Sequence, residues 1–98
     1  IEKEEGKAAE AWKMGPREDA SLLKVMEGLA EEESIEMKTK NFAGLGVMIE
    51  ELQGRKNGER GNYWQYWIND EYAKVGADAY VPRGGDIIEW KFLGQQNL

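Results

Sequence analysis

The sequence predicts an α+β fold, one helix packed on a mixed sheet of four to five strands and rolled into a single domain over residues 1–93. Three observations lead there. Leu22, Leu23, Val25, Met26 and Leu29 recur at helical spacing. The runs Ile35–Lys40 and Ile87–Phe92 alternate apolar with charged residues, as half-buried strands do. Turn signals divide the remainder into short pieces, so a single helix must be laid across the strands.

The elements follow in order. Ala8 to Met14 reads as a strand with Trp12 and Met14 on one face, preceded by a hairpin turn at Glu4-Glu5-Gly6-Lys7. Gly15-Pro16 ends it. Asp19 or Ser21 caps the helix, and Glu31-Glu32-Glu33 closes it, since acids at a helix C-terminus oppose the macrodipole. Ile35, Met37 and Thr39 form one face of the next strand, and Asn41 to Gly46 reads as a loop. Val47 to Leu52 does not alternate cleanly and predicts a bulged strand or a strand followed by a turn. Gln53 to Gly61 carries three glycines among charges and reads as a surface loop. Tyr63-Trp64-Gln65-Tyr66-Trp67-Ile68 is the most aromatic strand, and Asn69-Asp70 turns the chain. Residues 71–82 read as a long connection in which Tyr72, Val75, Tyr80 and Val81 need cover. Gly84-Gly85-Asp86 turns into the last strand, and residues 94–98 form a frayed tail.

Composition narrows the function classes. The chain has no Cys and no His, which removes disulfides, thiolate nucleophiles, Ser-His pairs and the usual zinc ligands. A net charge of −6 disfavours phosphate backbones, and Lys38 and Lys40, like Arg55, Lys56 and Arg60, form small groups interrupted by acids. No nucleic-acid partner is expected. No apolar run approaches the roughly 20 residues that span a bilayer, so no membrane insertion by this segment is expected. The chain starts at Ile1 rather than Met, as expected of a piece of a longer protein whose signal or anchor lies elsewhere.

Three stretches then suggest a family. Tyr63 to Asn69, Tyr72-Ala73-Lys74-Val75-Gly76-Ala77-Asp78-Ala79-Tyr80 and Gly85-Asp86-Ile87-Ile88-Glu89-Trp90 resemble the transcobalamin C-terminal-like domain, a bacterial domain of unknown function. Ala20 to Met26 is similar to its helix start, and Gly44 to Gly54 to its Gly-flanked strand. The resemblance implies a β-grasp (ubiquitin-like) roll. In transcobalamin and intrinsic factor such a domain closes over cobalamin held by a larger helical barrel. Carried over, the positions near the ligand are Val47, Met48, Trp64 and Gln65. Without His, the chain offers no imidazole to cobalt. The resemblance also implies a secreted or cell-surface, extracytoplasmic setting.

The aromatic strand carries the remaining candidate. Ile88, Trp90 and Phe92 face the helix because Glu89 and Lys91 need water. If the aromatic strand pairs with them, Trp64, Tyr66 and Ile68 share that face, and Tyr63, Gln65 and Trp67 take the open one. Trp67 is then either a binding platform or covered by the 71–82 connection. Trp64 is asked to serve both sides, its ring packed and its N–H exposed. Asp70, Glu71, Asp78 and Asp86 lack the pattern of a glycosidase pair or a calcium loop, and Asp86 reads as a turn cap.

These readings point to a non-catalytic ligand- or partner-binding module with no covalent cofactor, its ligand a corrinoid by resemblance. The candidate ligand-binding residues are Val47, Met48, Trp64, Gln65 and Trp67. The alternative is a structural, protein-interaction or carbohydrate-binding surface domain, joined to partners through a sheet edge or through Tyr63 and Trp67.

Overall fold

The computed structural model describes residues 2–3, 11–15, 20–43 and 46–94. The elements are β1 (Glu2–Lys3), β2 (Ala11–Lys13), α1 (Leu22–Glu32), β3 (Met37–Phe42), β4 (Gly46–Leu52), β5 (Arg55–Lys56), a 3-10 turn (Glu59–Gly61), β6 (Tyr63–Ile68), β7 (Glu71–Tyr72) and β8 (Ile87–Leu93). The class is α+β, one helix packed on sheets.

The expected single mixed sheet is corrected. The strands form two sheets, one ordered β1-β2-β8-β6-β7 and one ordered β3-β4-β5. Every strand pair is antiparallel. The physical reason lies in the turns, which return the chain directly beside the strand it has just left. Gln53 and Gly54, both at positive φ, join β4 to β5, and Asn69 and Asp70, both at positive φ, join β6 to β7. Two-residue turns of this hand match the twist of antiparallel strands.

Three expected loops are also corrected. Asn41 and Phe42 continue β3, with Phe42 opposite Gly46. The 53–61 stretch holds β5 and the 3-10 turn, and 71–82 begins with β7. The expected bulge is present in the β3–β4 pair. Lys38 faces Glu51 while Thr39 faces Ile49, leaving Glu50 as the extra residue. The turn expected at residues 4–7 lies outside the described residues, as do Asp19 and residues 95–98.

The helix sits where expected, and the free N–H groups of its first turn all have partners. Ser21 is the N-cap, its Oγ accepting the Lys24 N–H at 3.3 Å. The Leu22 and Leu23 N–H groups donate to the carbonyls of Tyr80 (2.6 Å) and Ala77 (2.9 Å). Residues 77–80 therefore finish the cap that Ser21 starts. At the other end Ser34 takes positive φ and the Ile35 N–H reaches the Ala30 carbonyl at 2.8 Å, closing the helix in a Schellman-type turn.

The core lies between α1 and the sheets. Leu22, Leu23, Val25, Met26 and Leu29 pack with Trp12 and Met14, with Ile49 and Leu52 of β4, and with Trp64, Tyr66, Ile88 and Trp90. The β6–β8 register places Trp64 opposite Phe92, Tyr66 opposite Trp90 and Ile68 opposite Ile88. The two aromatic pairs have ring centroids 5.1 and 4.8 Å apart, adding to the burial energy by contact geometry.

Candidate ligand-binding site

Sheet two is fastened to sheet one by the segment after β5. Asn57 donates its side-chain N–H to the Ile49 carbonyl of β4 at 3.0 Å and accepts the Trp64 main-chain N–H of β6 at 2.8 Å. The Trp64 indole N–H donates to the Arg55 carbonyl at 2.7 Å. These bonds hold β4 beside β6, so that Met48 lines the same surface as Trp64 and Gln65.

A second fastening forms the other wall. After β7, residues 73–80 run as a strap along the edge of β6. The Ala73 N–H donates to the Tyr66 carbonyl at 3.0 Å, and the Tyr66 hydroxyl donates to the Val75 carbonyl at 2.7 Å. Burial first, then the nearby Tyr80 and Asp78, push the Tyr66 phenol well above its ordinary value, so Tyr66 stays a donor. Further along, the Asp78 carboxylate accepts the Val47 N–H at 3.0 Å. It lies so close that a Cβ on Gly46 or Gly76 would meet its oxygens at 2.4 or 2.9 Å. Both glycines are needed for that approach.

Between β4, β6 and the strap lies an open depression of about 320 Å³. Met48, Trp64, Gln65, Tyr72, Val75 and Trp90 are among its lining residues. Of the five residues expected from the sequence, Met48, Trp64 and Gln65 meet here. Val47 packs partly buried against the core instead, its N–H held by Asp78. Trp67 lies across the sheet. Its ring meets Tyr72 edge-on at 5.1 Å, and the Lys91 ammonium sits 4.4 Å from its centroid. The Trp64 N–H is bonded to Arg55 rather than exposed, because β5, read as loop from the sequence, supplies an acceptor.

Gln65 is held on both sides. Its amide N–H groups reach the Leu93 and Gly94 carbonyls at 3.1 Å, and its oxygen accepts the Tyr72 hydroxyl at 3.0 Å. Tyr72, Lys74, Val75 and Gly76 of the lining were not expected from the sequence. The available signal was the need to cover Tyr72 and Val75 in a stretch without strand periodicity.

A family model described as "Domain of unknown function (DUF4430)" matches residues 19–94. The chain belongs to this family. No curated protein and no solved structure matches it.

In this DUF4430 domain a second depression, of about 590 Å³, adjoins the first, and Tyr72, Ala73 and Lys74 line both. Asp86 lines it and is buried. Its oxygens accept the Tyr80 hydroxyl, the Arg83 N–H at 2.9 Å and the Asn69 side-chain N–H at 3.0 Å. Burial alone pushes the Asp86 carboxyl up, but these bonds and the Arg83 charge outweigh it and hold the group below its usual value. Tyr80 is pushed up to about 12 by burial and by its bond to Asp86. Asn69 also takes the Ile87 N–H at 2.9 Å, so turn and last strand are stitched through one amide. Asp86 thus closes the 83–86 turn, whereas Asp78 serves the long-range bond to Val47. Among the described residues no three of His, Cys, Asp and Glu gather as a metal site, and no helix is long and apolar enough to cross a membrane.

Proposed function

We propose that this domain is a non-catalytic, extracytoplasmic binding module of a secreted or cell-surface protein, with an all-antiparallel variant of the β-grasp roll, and that its ligand is a corrinoid such as cobalamin. The observation that carries the reading is the meeting of Met48, Trp64 and Gln65 in one open depression. Those are three of the positions that the resemblance to the transcobalamin C-terminal-like domain implies near its ligand. The fold reading rests on a terminal hairpin, a helix laid across the sheet, and a last strand between that hairpin and β6. The depression is apolar along Met48, Val75 and the indoles and open to solvent, suited to the flat face of a ring whose polar groups lie at its edge. Its size accommodates part of a corrin ring, leaving the rest for a neighbouring domain.

Tryptophan emission tests the reading directly, since Trp64 and Trp90 both line the depression. Titration with cyanocobalamin or dicyanocobinamide is expected to quench emission beyond the inner-filter effect. Val75 is exposed on the rim, so Val75→Asp is expected to weaken binding without unfolding the domain. Absence of excess quenching at millimolar protein and ligand removes the corrinoid assignment.

A further inference from the structure

The two depressions form one continuous surface with different chemistry at its ends. Around Met48, Val75 and Trp90 it is mainly apolar. Around Asn69, Tyr80 and Arg83 it is polar, and Lys74 stands where the two meet. Among the described residues neither Lys74 nor Arg83 makes an ion pair within 4.0 Å, although Lys24, Lys56 and Lys91 do. The Arg83 charge acts on Asp86 through space, but among the described residues neither cation is locked in a direct ion pair with an acid of the polar end. Asp86 has its oxygens committed to Tyr80, Arg83 N–H and Asn69, and Glu71 is an exposed carboxylate on the short edge strand.

From this juxtaposition we infer that the polar depression is an anion subsite, in which the Lys74 ammonium and the Arg83 guanidinium hold a phosphate group on a ligand whose flat apolar part lies against Met48, Val75 and the indoles. The inference rests on the binding reading above and adds a chemical class to it. An amphiphile of this kind satisfies both depressions at once, and each contact raises the effective concentration of the other. Two cations can share the oxygens of one phosphate by charge-assisted hydrogen bonds. In a chain of net charge −6, such capture has to be local, because the overall field repels anions.

The experiment compares cyanocobalamin, which carries a phosphodiester in its nucleotide loop, with dicyanocobinamide, which carries none. Binding to the wild-type domain, Arg83→Met and Lys74→Met is followed by tryptophan emission, with folding checked by circular dichroism. The expected result is that cyanocobalamin binds about tenfold more tightly than dicyanocobinamide. Arg83→Met removes that advantage and leaves cobinamide binding unchanged, Lys74→Met removes the advantage as well, and Glu71→Gln enlarges it. Equal binding of both corrinoids, or an advantage that survives both substitutions, overturns the anion subsite while the corrinoid reading stands. If neither corrinoid binds, the corrinoid reading fails, and backbone amide shifts under a pyrophosphate titration decide the subsite alone. Saturable shifts at residues 72–74 and 83–86 that vanish in Arg83→Met support it, and shifts that are diffuse or absent overturn it.

Discussion

Asn57 and Trp64 are joined at the point where the two sheets meet. The Asn57 side chain accepts the Trp64 main-chain N–H at 2.8 Å and passes its own N–H to Ile49 at 3.0 Å. One amide thus satisfies a donor on β6 and an acceptor on β4 that no strand pairing reaches.

Asn57→Ala is therefore expected to cost about 1–3 kcal/mol, the range for leaving partly buried polar groups without partners. Asn57→Asp keeps the acceptor for Trp64 but loses the donor to Ile49 and adds charge, so it is expected to recover little. Urea denaturation measures both. The loss should be accompanied by a change in the nuclear Overhauser contacts between Ile49 and Trp64, the two residues that Asn57 bridges. Full stability in Asn57→Ala would mean that packing alone joins the sheets.

The Asp78–Val47 bond makes a different prediction, about coupling. Gly46 has φ +87°, and a Cβ there would lie 2.4 Å from Asp78 Oδ2. Gly46→Ala should cost about 1–2 kcal/mol for the left-handed backbone alone, and more from the contact. In the double variant with Asp78→Ala the contact is gone. The two losses should then sum to more than the double variant shows, by about 0.5 kcal/mol or more. Strict additivity in a denaturation cycle would show that Asp78 moves aside freely.

The Asp86 cluster predicts a pH response at both extremes. The folded Asp86 carboxyl lies below its ordinary value of 3.8, so its contribution is present above that value and is lost as pH falls through the folded value. Tyr80 is raised from 10.0 to about 12, so its contribution is complete below the unfolded value and is lost as pH rises through about 12. Asp86→Asn should lower stability at neutral pH by about 1–3 kcal/mol and flatten the acid limb of the stability profile. Tyr80→Phe should flatten the alkaline limb. Thermal melts across pH read both, and an acid limb unchanged in Asp86→Asn would assign it to other carboxylates.

The inward faces of β6 and β8 were legible in the sequence because alternation carries them, while the register came from the structure. Glu89 and Lys91 must be wet, which turns Ile88, Trp90 and Phe92 inward, and pairing of the two strands then puts Trp64, Tyr66 and Ile68 on the same face. Ser21 was legible for a similar reason, as a cap residue before a periodic run. The strap was not. Its hold comes from main-chain carbonyls of Ala77 and Tyr80 meeting helix N–H groups, and from the Tyr66 hydroxyl reaching Val75. Carbonyls are the same in every residue, so such bonds leave no pattern. Half of the site, from Tyr72 to Ala77, was hidden for that reason. The separation into two sheets was hidden as well, because Gln53-Gly54 looks like any charged glycine loop until its positive φ values make it a hairpin.

Trp67 and Trp90 separate the open face of the sheet from the core. Trp90 is 3% exposed and packs against Tyr66 at 4.8 Å. Trp90→Ala is expected to cost about 3–5 kcal/mol, the range for a core aromatic truncation, which a domain this small can fail to survive. Among the described residues the Trp90 indole N–H has no hydrogen-bond partner. Trp90→Phe therefore sacrifices volume but no bond, and should fold with a much smaller loss. Trp67 is half-buried, held by the edge of Tyr72 and by Lys91. Trp67→Ala should cost about 1–2 kcal/mol, contacts of this kind being worth roughly 0.5–1.5 kcal/mol each. Lys91→Met should account for part of that loss, since it removes the ammonium from the ring. Because Trp67 does not line the depression beside Met48, its removal should leave corrinoid quenching in place. Chemical denaturation and ligand titration on the same variants decide between the faces. A Trp67→Ala loss as large as that of Trp90→Ala would make the ring core, and lost binding with retained stability would move the site to the open face.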